Sequence, residues 1–370
     1  MSSLQRPKFS IKRHTLGAML DKASGALGSA GDIDILQYFK FVLDDSGLRI
    51  VSTDIDLTVL AQTSNVDIDV PGSFVVIADK LRKLVRLLEL DDVVNFEVEE
   101  RFRVHVFTSD VSWHLSGADP SEYPEVPDPS QVTWFTADRE KFKNALRKVY
   151  PAAPIDGMRN VNMMIVDVTE HVVRATDGVR FAAMDIEFPF PIQLPIKSVP
   201  ELLKFLSKAV SDQIYVASTD EVVLFKVDDD ILMLTRIEID FVDVSVIMKD
   251  VASNDRLLVV DRLSFIRALN RVKINADPDT NQVVLVAKRD GSYLYTSSKS
   301  GEDSKHTVLT DWPYDFEQTV IVNIDFLIDA VVAHDTPALT LALPSNESGP
   351  IAVIGDRGLV TIIRQFRRNI

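Results

Sequence analysis

The 370-residue chain contains no cysteine, which excludes disulfides, thiolate metal sites and cysteine nucleophiles together. It has no run of 18 apolar residues that could cross a bilayer, and its first residues, MSSLQRPKFSIKRH, lack an apolar signal core. A cytoplasmic location is the expectation. Histidine is scarce: His14, His105, His114, His171, His306 and His334 form neither an HExxH pattern nor an i, i+4 pair, so spacing suggests no metal site and no cofactor. The glycines of SGALGSAG lack the lysine and Ser/Thr of a phosphate-binding loop, and no GxSxG turn occurs. Paired carboxylates, Asp54 with Asp56 and the run Asp228 to Asp230, would suit a hydrolase, but turns and outward strand faces are their commoner setting. No enzymatic activity is expected.

What the chain does have is a hydrophobic content of 46%, enough for substantial cores, and a length that suggests two or three domains. A weak threefold repeat runs through it. FSIKRHTLGAML, WFTADREKFKNAL and LLVVDRLSFIRAL each read as a strand followed by a helix, with Leu16 and Leu20, Phe142 and Leu146, and Phe265 and Leu269 in matching places. A second strand-to-helix junction recurs in VVIADKLRKLVRLL, LPIKSVPELLKFL and IVNIDFLIDAVV. Short alternating strands surround these helices, among them IVSTDIDLTVLA, VNFEVEERFRVHVF and QIYVASTDEVVLFKV. Prolines at 120, 124, 127 and 129 and the polar stretch from Lys249 to Asp255 divide the copies. The expected architecture is α+β: three similar domains over 1–125, 126–252 and 253–370, each with two helices and antiparallel strands.

The net charge of −15 argues against nucleic-acid binding over the whole surface, because phosphate would be repelled. The charge is nevertheless partitioned. Five of the six helix windows lean basic, and the six together carry +10, leaving −25 for the remainder. Were these helices to face one concave surface, duplex DNA would meet Lys12, Arg13, Lys80, Arg82, Lys83, Lys141, Lys143, Arg147, Lys204, Lys208, Arg267 and Arg271. Solvation of exposed helix faces is the competing explanation for any one such helix. The window 323–335 departs from the pattern with Asp325, Asp329 and Asp335 and no base.

Over nearly its whole length the chain resembles the beta subunit of bacterial replicative DNA polymerase, the beta sliding clamp. The matching pieces are FSIKRHTLGAMLDKASGAL, LRIVSTDIDLTVLA and WHLSGADPSEYPEVP, then VVRATDGVRFAAMDIEF and LPIKSVPELLKFL, and finally NIDFLIDAV and LVTIIRQF. The resemblance implies three clamp-type domains per chain, with helices on the inner face and antiparallel sheets outside. Two chains would close head to tail into a ring around duplex DNA, as a non-catalytic processivity factor. It places apolar dimer contacts at Trp113 and Ile274.

The same resemblance implies a cleft for short linear peptides of the polymerase and the clamp loader. Its wall would comprise Val161, Thr176, Gly178, Val179, Arg180, Phe181, Val242, Ile247, Ile362, Arg364 and Phe366, with Arg180 offering a donor to the peptide. Departures from the family pattern gather there: Val179 stands where histidine is typical and Val242 where proline is, and the tail reads IIRQFRRNI. An arginine is also missing from GALGSAGDIDIL. The chain thus reads as a diverged or phage-borne member. The alternative is a clamp-fold scaffold that does not encircle DNA.

Overall fold

The structure, a computed structural model, describes residues 6–29, 33–154, 163–346 and 348–366. The architecture is α+β, with seven helices and four antiparallel sheets among the described residues. The helices are α1 (Arg13–Ala23), α2 (Ala78–Leu87), α3 (Arg139–Val149), α4 (Val199–Lys208), α5 (Ser245–Ala252), α6 (Arg262–Lys273) and α7 (Ile324–Ala333). Six coincide with the helix windows read from the sequence, and α5 is additional. None among the described residues is long and apolar enough to cross a membrane.

By contact density the chain forms two compact units, Met1–Glu140 with Pro200–Arg236, and Lys141–Val199 with Ile237–Ile370. These units cut across the three sequence copies, because strands from different copies share a sheet. In the first unit Leu57–Thr63 pairs with Asp230–Thr235, matching Leu60 to Ile231 and Thr58 to Met233. In the second, Arg180–Asp185 pairs with Leu359–Ile363, matching Phe181 to Ile362.

The first unit holds a five-stranded and a nine-stranded sheet. Strand Tyr38–Asp44, YFKFVLD, shows why: its residues alternate between buried and half-buried, the period-2 signature of one covered face. Helix α2 buries Ala78, Leu81 and Val85, spaced for one helical stripe, and leaves Lys80 and Lys83 in solvent. The core joins both sheets to α1 and α2 around four phenylalanines. Phe9 stacks on Phe96 with ring centroids 4.6 Å apart, and Phe41 on Phe74 at 4.8 Å. A hairpin turn at Gly47 (φ +115°) lies so close to the next strand that a Cβ there would sit 2.2 Å from the Thr63 carbonyl oxygen.

The proline-punctuated stretch expected as a linker is packed on the nine-stranded sheet. Tyr123, Val126, Val132 and Trp134 cover Val51, Val75, Leu224 and Met233. The buried Tyr123 hydroxyl donates to the carbonyls of Val51 (3.3 Å) and Tyr38 (3.4 Å), and burial holds its pKa well above that of a free phenol.

The second unit repeats the plan. A nine-stranded and a four-stranded sheet enclose α6 and α7 around Phe265, Leu269, Leu285, Leu327 and Val331. Asp261 caps α6 by accepting from Ser264 N at 2.9 Å, and Asn323 caps α7 by accepting from Asp325 N at 2.9 Å. The other face of the nine-stranded sheet carries a smaller apolar cluster under α5.

Phe41→Ala is expected to lower unfolding free energy by about 3–5 kcal/mol, since it empties the centre of the phenylalanine cluster. Phe41→Leu should cost much less. Urea titration followed by circular dichroism measures both, and equal losses would show that ring packing is not the source.

Candidate partner cleft and cationic helix faces

The residues proposed for the cleft gather at the seam between strands Arg180–Asp185 and Leu359–Ile363. The turn preceding the first strand is held by its own side chains. Thr176 Oγ1 donates to the Arg180 carbonyl (2.6 Å) and accepts from Gly178 N (3.1 Å). Asp177 Oδ1 accepts from Val179 N (2.9 Å) and Arg180 N (2.8 Å). Gly178, at φ +84°, supplies the left-handed conformation such a turn needs.

Successive residues on a strand face opposite ways, so this sheet separates the cleft residues into two groups. On one face Phe181 and Ile362 join Ala342 and Ala352, with Ile247, Val244 and Val251 of the α5 region and Phe241 packed against them. Phe181 and Ile362 are 3% and 0% exposed, so this apolar floor is already covered by the chain's own residues. Val242 is half-buried beside it in sequence. Val179 stands at the turn's tip, 43% exposed, and its carbonyl accepts from the amide of exposed Arg364 at 2.9 Å. Phe366 is half-buried and its amide donates to the Ile321 carbonyl at 2.8 Å. Val161 lies outside the described residues.

Arg180 belongs to the other face, and its role differs from the one expected. It is 5% exposed, with Nε donating to Asp177 Oδ2 at 2.9 Å and Nη1 to Asp329 Oδ2 at 2.7 Å. Its guanidinium carbon lies 4.1 Å from the centroid of the Phe326 ring. Arg180 therefore ties the turn to α7 instead of standing open as a donor. Burial pushes the Asp329 carboxyl above the usual carboxylate range, and Arg180 opposes that shift. Beside these groups lies a small, partly open pocket lined by Lys148, Pro151, Phe326, Ala330 and Thr361. The sequence reading did not include these residues. The paired aspartates of NIDFLIDAVV were their one visible signal.

The same pairing explains the acidic helix. Asp325 receives Lys273 at 2.5 Å, Asp329 receives Arg180, and Asp335 receives Lys148 at 2.8 Å and Arg147 at 3.6 Å. The carboxylates of α7 are counterions for Lys273 on α6 and Arg180 of the cleft turn, while Asp335, just past the helix end, answers Lys148 and Arg147 on α3. Lys148, only 3% exposed, also pairs with Asp356, whose carboxylate accepts from the amides of Asp335 and Thr336, both at 3.0 Å. Burial alone would raise the Asp356 pKa, but Lys148 and these amides outweigh it and hold the group below the ordinary range. Fully buried His334 accepts from Asp356 N through Nδ1 (3.0 Å), and its Nε2 faces the Val353 carbonyl (3.2 Å). Burial lowers its pKa.

Of the twelve bases read as DNA-facing, Lys12, Lys80, Lys83, Lys141, Arg147, Lys204, Lys208, Arg267 and Arg271 are exposed. Lys143 and Arg82 are half-buried. Arg13 is half-buried too and donates to the Val85 carbonyl at 2.9 Å, capping the end of α2. Lys83 pairs with Asp79 at 2.7 Å and Lys204 with Glu201 at 3.0 Å, while Lys208 donates to the Asp21 carbonyl at 3.3 Å. Of the two residues read as dimer contacts, Trp113 is half-buried on the edge strand Ser112–Leu115, and Ile274 is 81% exposed just beyond α6.

Among the carboxylates considered for catalysis, Asp54, Asp228 and Asp230 serve structure. Asp54 Oδ1 accepts from Leu57 N at 2.7 Å, and Asp228 accepts from Val210 N and Ser211 N. Asp230 is paired with Lys22 at 2.5 Å.

The family model described as DNA polymerase III beta subunit, N-terminal domain, matches residues 7–127. The beta sliding clamp of Bacillus subtilis (strain 168) is 22% identical over 342 residues, 88% of this chain and 89% of that protein. That of Halalkalibacterium halodurans is 24% identical, over 90% of this chain and 92% of its own length. Among solved structures, the Caulobacter crescentus beta sliding clamp superposes with a TM-score of 0.90 at 19% identity, covering 99% of this chain and all of that one. The DNA polymerase sliding clamp of Bacillus subtilis gives 0.88 at 20% identity, covering 98% and 99%. At such identities the superpositions establish the fold.

Two outcomes are expected at this site. Arg180→Ala leaves Asp177 and Asp329 without their shared cation and should cost about 3 kcal/mol in urea unfolding; a loss below ~0.5 kcal/mol, the level of an unimportant surface change, would remove Arg180 as the tie between turn and helix. Stability should also fall as pH drops below about 6.5, where histidine in the unfolded chain takes up a proton that buried His334 resists. Its contribution is complete above that pH and lost progressively below it, and the depressed Asp356 adds a further loss in the carboxylate range. His334→Gln should flatten the fall between pH 7 and 5. An identical pH profile in the variant would exclude His334 as its source.

Proposed function

We propose, from the premise that this chain belongs to the bacterial beta sliding clamp family, that it is a DNA sliding clamp and acts without catalysis. Two copies close head to tail into a ring, with three clamp-type domains per chain at 1–125, 126–252 and 253–370, and Trp113 and Ile274 contribute to the closing contacts. The ring encircles duplex DNA in the cytoplasm and tethers a replicative polymerase and a clamp loader. The observation that carries the reading is the exposure of bases on α2, α3, α4 and α6 within a chain of charge −15.

Physically, such a clamp needs weak, sequence-independent phosphate contacts so that it slides, while topology prevents escape. The pairing of exposed Lys83 and Lys204 with Asp79 and Glu201 suits this task, because ion pairs in contact with solvent contribute only roughly 0–1 kcal/mol and yield readily to phosphate. The net negative remainder keeps DNA from binding the outside. The charge reversal at α7 does not count against the reading, since Asp329 and Asp325 are paired with Arg180 and Lys273, and Asp335 just past the helix with Lys148.

Partner peptides dock at the turn Thr176–Arg180 and the strand end at Arg364 and Phe366. Exposed Val179 and Arg364 set the preference there, and a cation at Arg364 favours an acidic peptide residue beside the apolar anchors. The alternative of a clamp-fold scaffold that does not encircle DNA rests on the same altered positions.

Retention on DNA separates the two. The protein, loaded by its clamp loader, should remain on closed circular DNA and be lost after linearisation, because a ring slides off an end. Replacing Lys141, Lys143 and Arg147 together by Ala should shorten residence and reduce the salt slope of binding by up to about 3, one counterion per phosphate contact. Equal retention on circular and linear DNA would support the scaffold instead.

A further inference from the structure

The solvent face of the five-stranded sheet carries a second site. Strands Val93–Val98, Val104–Phe107 and Ser112–Leu115 send Phe96, Val104, Val106 and Leu115 into the core, so the alternate residues stand on the outside. The register sets His105 directly opposite His114. Their rings are parallel within 9°, with centroids 4.5 Å apart. Just past the first strand, Glu99 is held by its amide's bond to the Arg103 carbonyl (2.7 Å), and its Oε1 lies 3.3 Å from His114 Nε2. One ligand atom from each of Glu99, His105 and His114 falls within 4.8 Å of the others.

We propose that Glu99, His105 and His114 bind a divalent late first-row transition metal, with Zn²⁺ as the natural probe. Two borderline imidazole donors with one carboxylate suit zinc, copper or nickel, whereas Mg²⁺ and Ca²⁺ require a larger set of oxygens. Bond lengths of about 2.0–2.2 Å need the ligand atoms closer than they stand and the two parallel rings turned out of their stack, so that both in-plane lone pairs meet one ion; side-chain rotation on a fixed ladder supplies that movement. The His105 ring is steadied from outside the donor set. Its Nε2 lies 2.8 Å from Ser112 Oγ, and the ring stacks on Phe107 at 4.5 Å. Water completes the coordination. The metal links three consecutive strands and so staples the sheet's edge strand, Ser112–Leu115, to its neighbours. This site stands on strand register and does not depend on the clamp reading.

The test uses the full chain after dialysis against chelator, titrated calorimetrically with Zn²⁺. Saturable uptake of one ion per chain is expected, with no uptake of Mg²⁺ and with binding lost in acid as protons compete for the imidazoles. Glu99→Gln, His105→Gln and His114→Gln should each weaken binding on the order of tenfold or more. Zinc should raise the melting temperature of the natural chain and not that of the His105→Gln/His114→Gln variant, whose fold is checked by circular dichroism. Unchanged zinc affinity in that double variant would overturn the site, as would equal binding of Mg²⁺ or no uptake by the natural chain.

Discussion

Two antiparallel seams carry most of this structure: Leu57–Thr63 against Asp230–Thr235, and Arg180–Asp185 against Leu359–Ile363. Each joins strands far apart in sequence, so each is costly in loop-closure entropy and must be repaid by what it brings together. In return each extends a sheet to nine strands and leaves two faces to cover. One face receives a pair of helices and a second sheet. The other is covered by the Tyr123 stretch in one unit and by the α5 region in the other. The candidate cleft exists because the second seam places Phe181 beside Ile362 and the Thr176–Arg180 turn beside Arg364.

Charge is organised on the same frame. Where bases are buried, as at Lys148 and Arg180, they meet carboxylates with several hydrogen bonds, the condition under which a buried ion is tolerable. Where they are exposed, on α2, α4 and α6, their pairs lie in contact with solvent or are made with backbone. The acidic helix α7 belongs to the first class and the basic helices largely to the second. A chain of strongly negative net charge can in this way present cations on its helices without leaving unpaired charge at Lys148 or Arg180 in its interior.

Much of this was legible in the residues. The strand-to-helix openings near Phe9, Trp134 and Leu257 predicted helices that the structure contains, because apolar spacing reports directly on which face is buried. The family resemblance led to the cleft turn at Asp177 and Gly178. The use of Arg180 was not legible, since nothing local links it to Asp329, 149 positions away. Nor did spacing connect His105 with His114, nine apart, or either with Glu99, because only the hairpin register makes them neighbours. Proline marked the segment 119–130 as a boundary, yet Tyr123 buries itself on a sheet.

Local pattern alone therefore determined the elements, their amphipathic faces, the α+β class and the partition of charge, all of which follow from period and composition within a few residues. The tertiary structure decided which strands share a sheet, which side of that sheet Arg180 and Phe181 occupy, and which carboxylate answers each buried base. The physical reason is that hydrogen-bond register and ion pairing are set by contacts between distant segments, and a one-residue change in register exchanges the two faces of a strand.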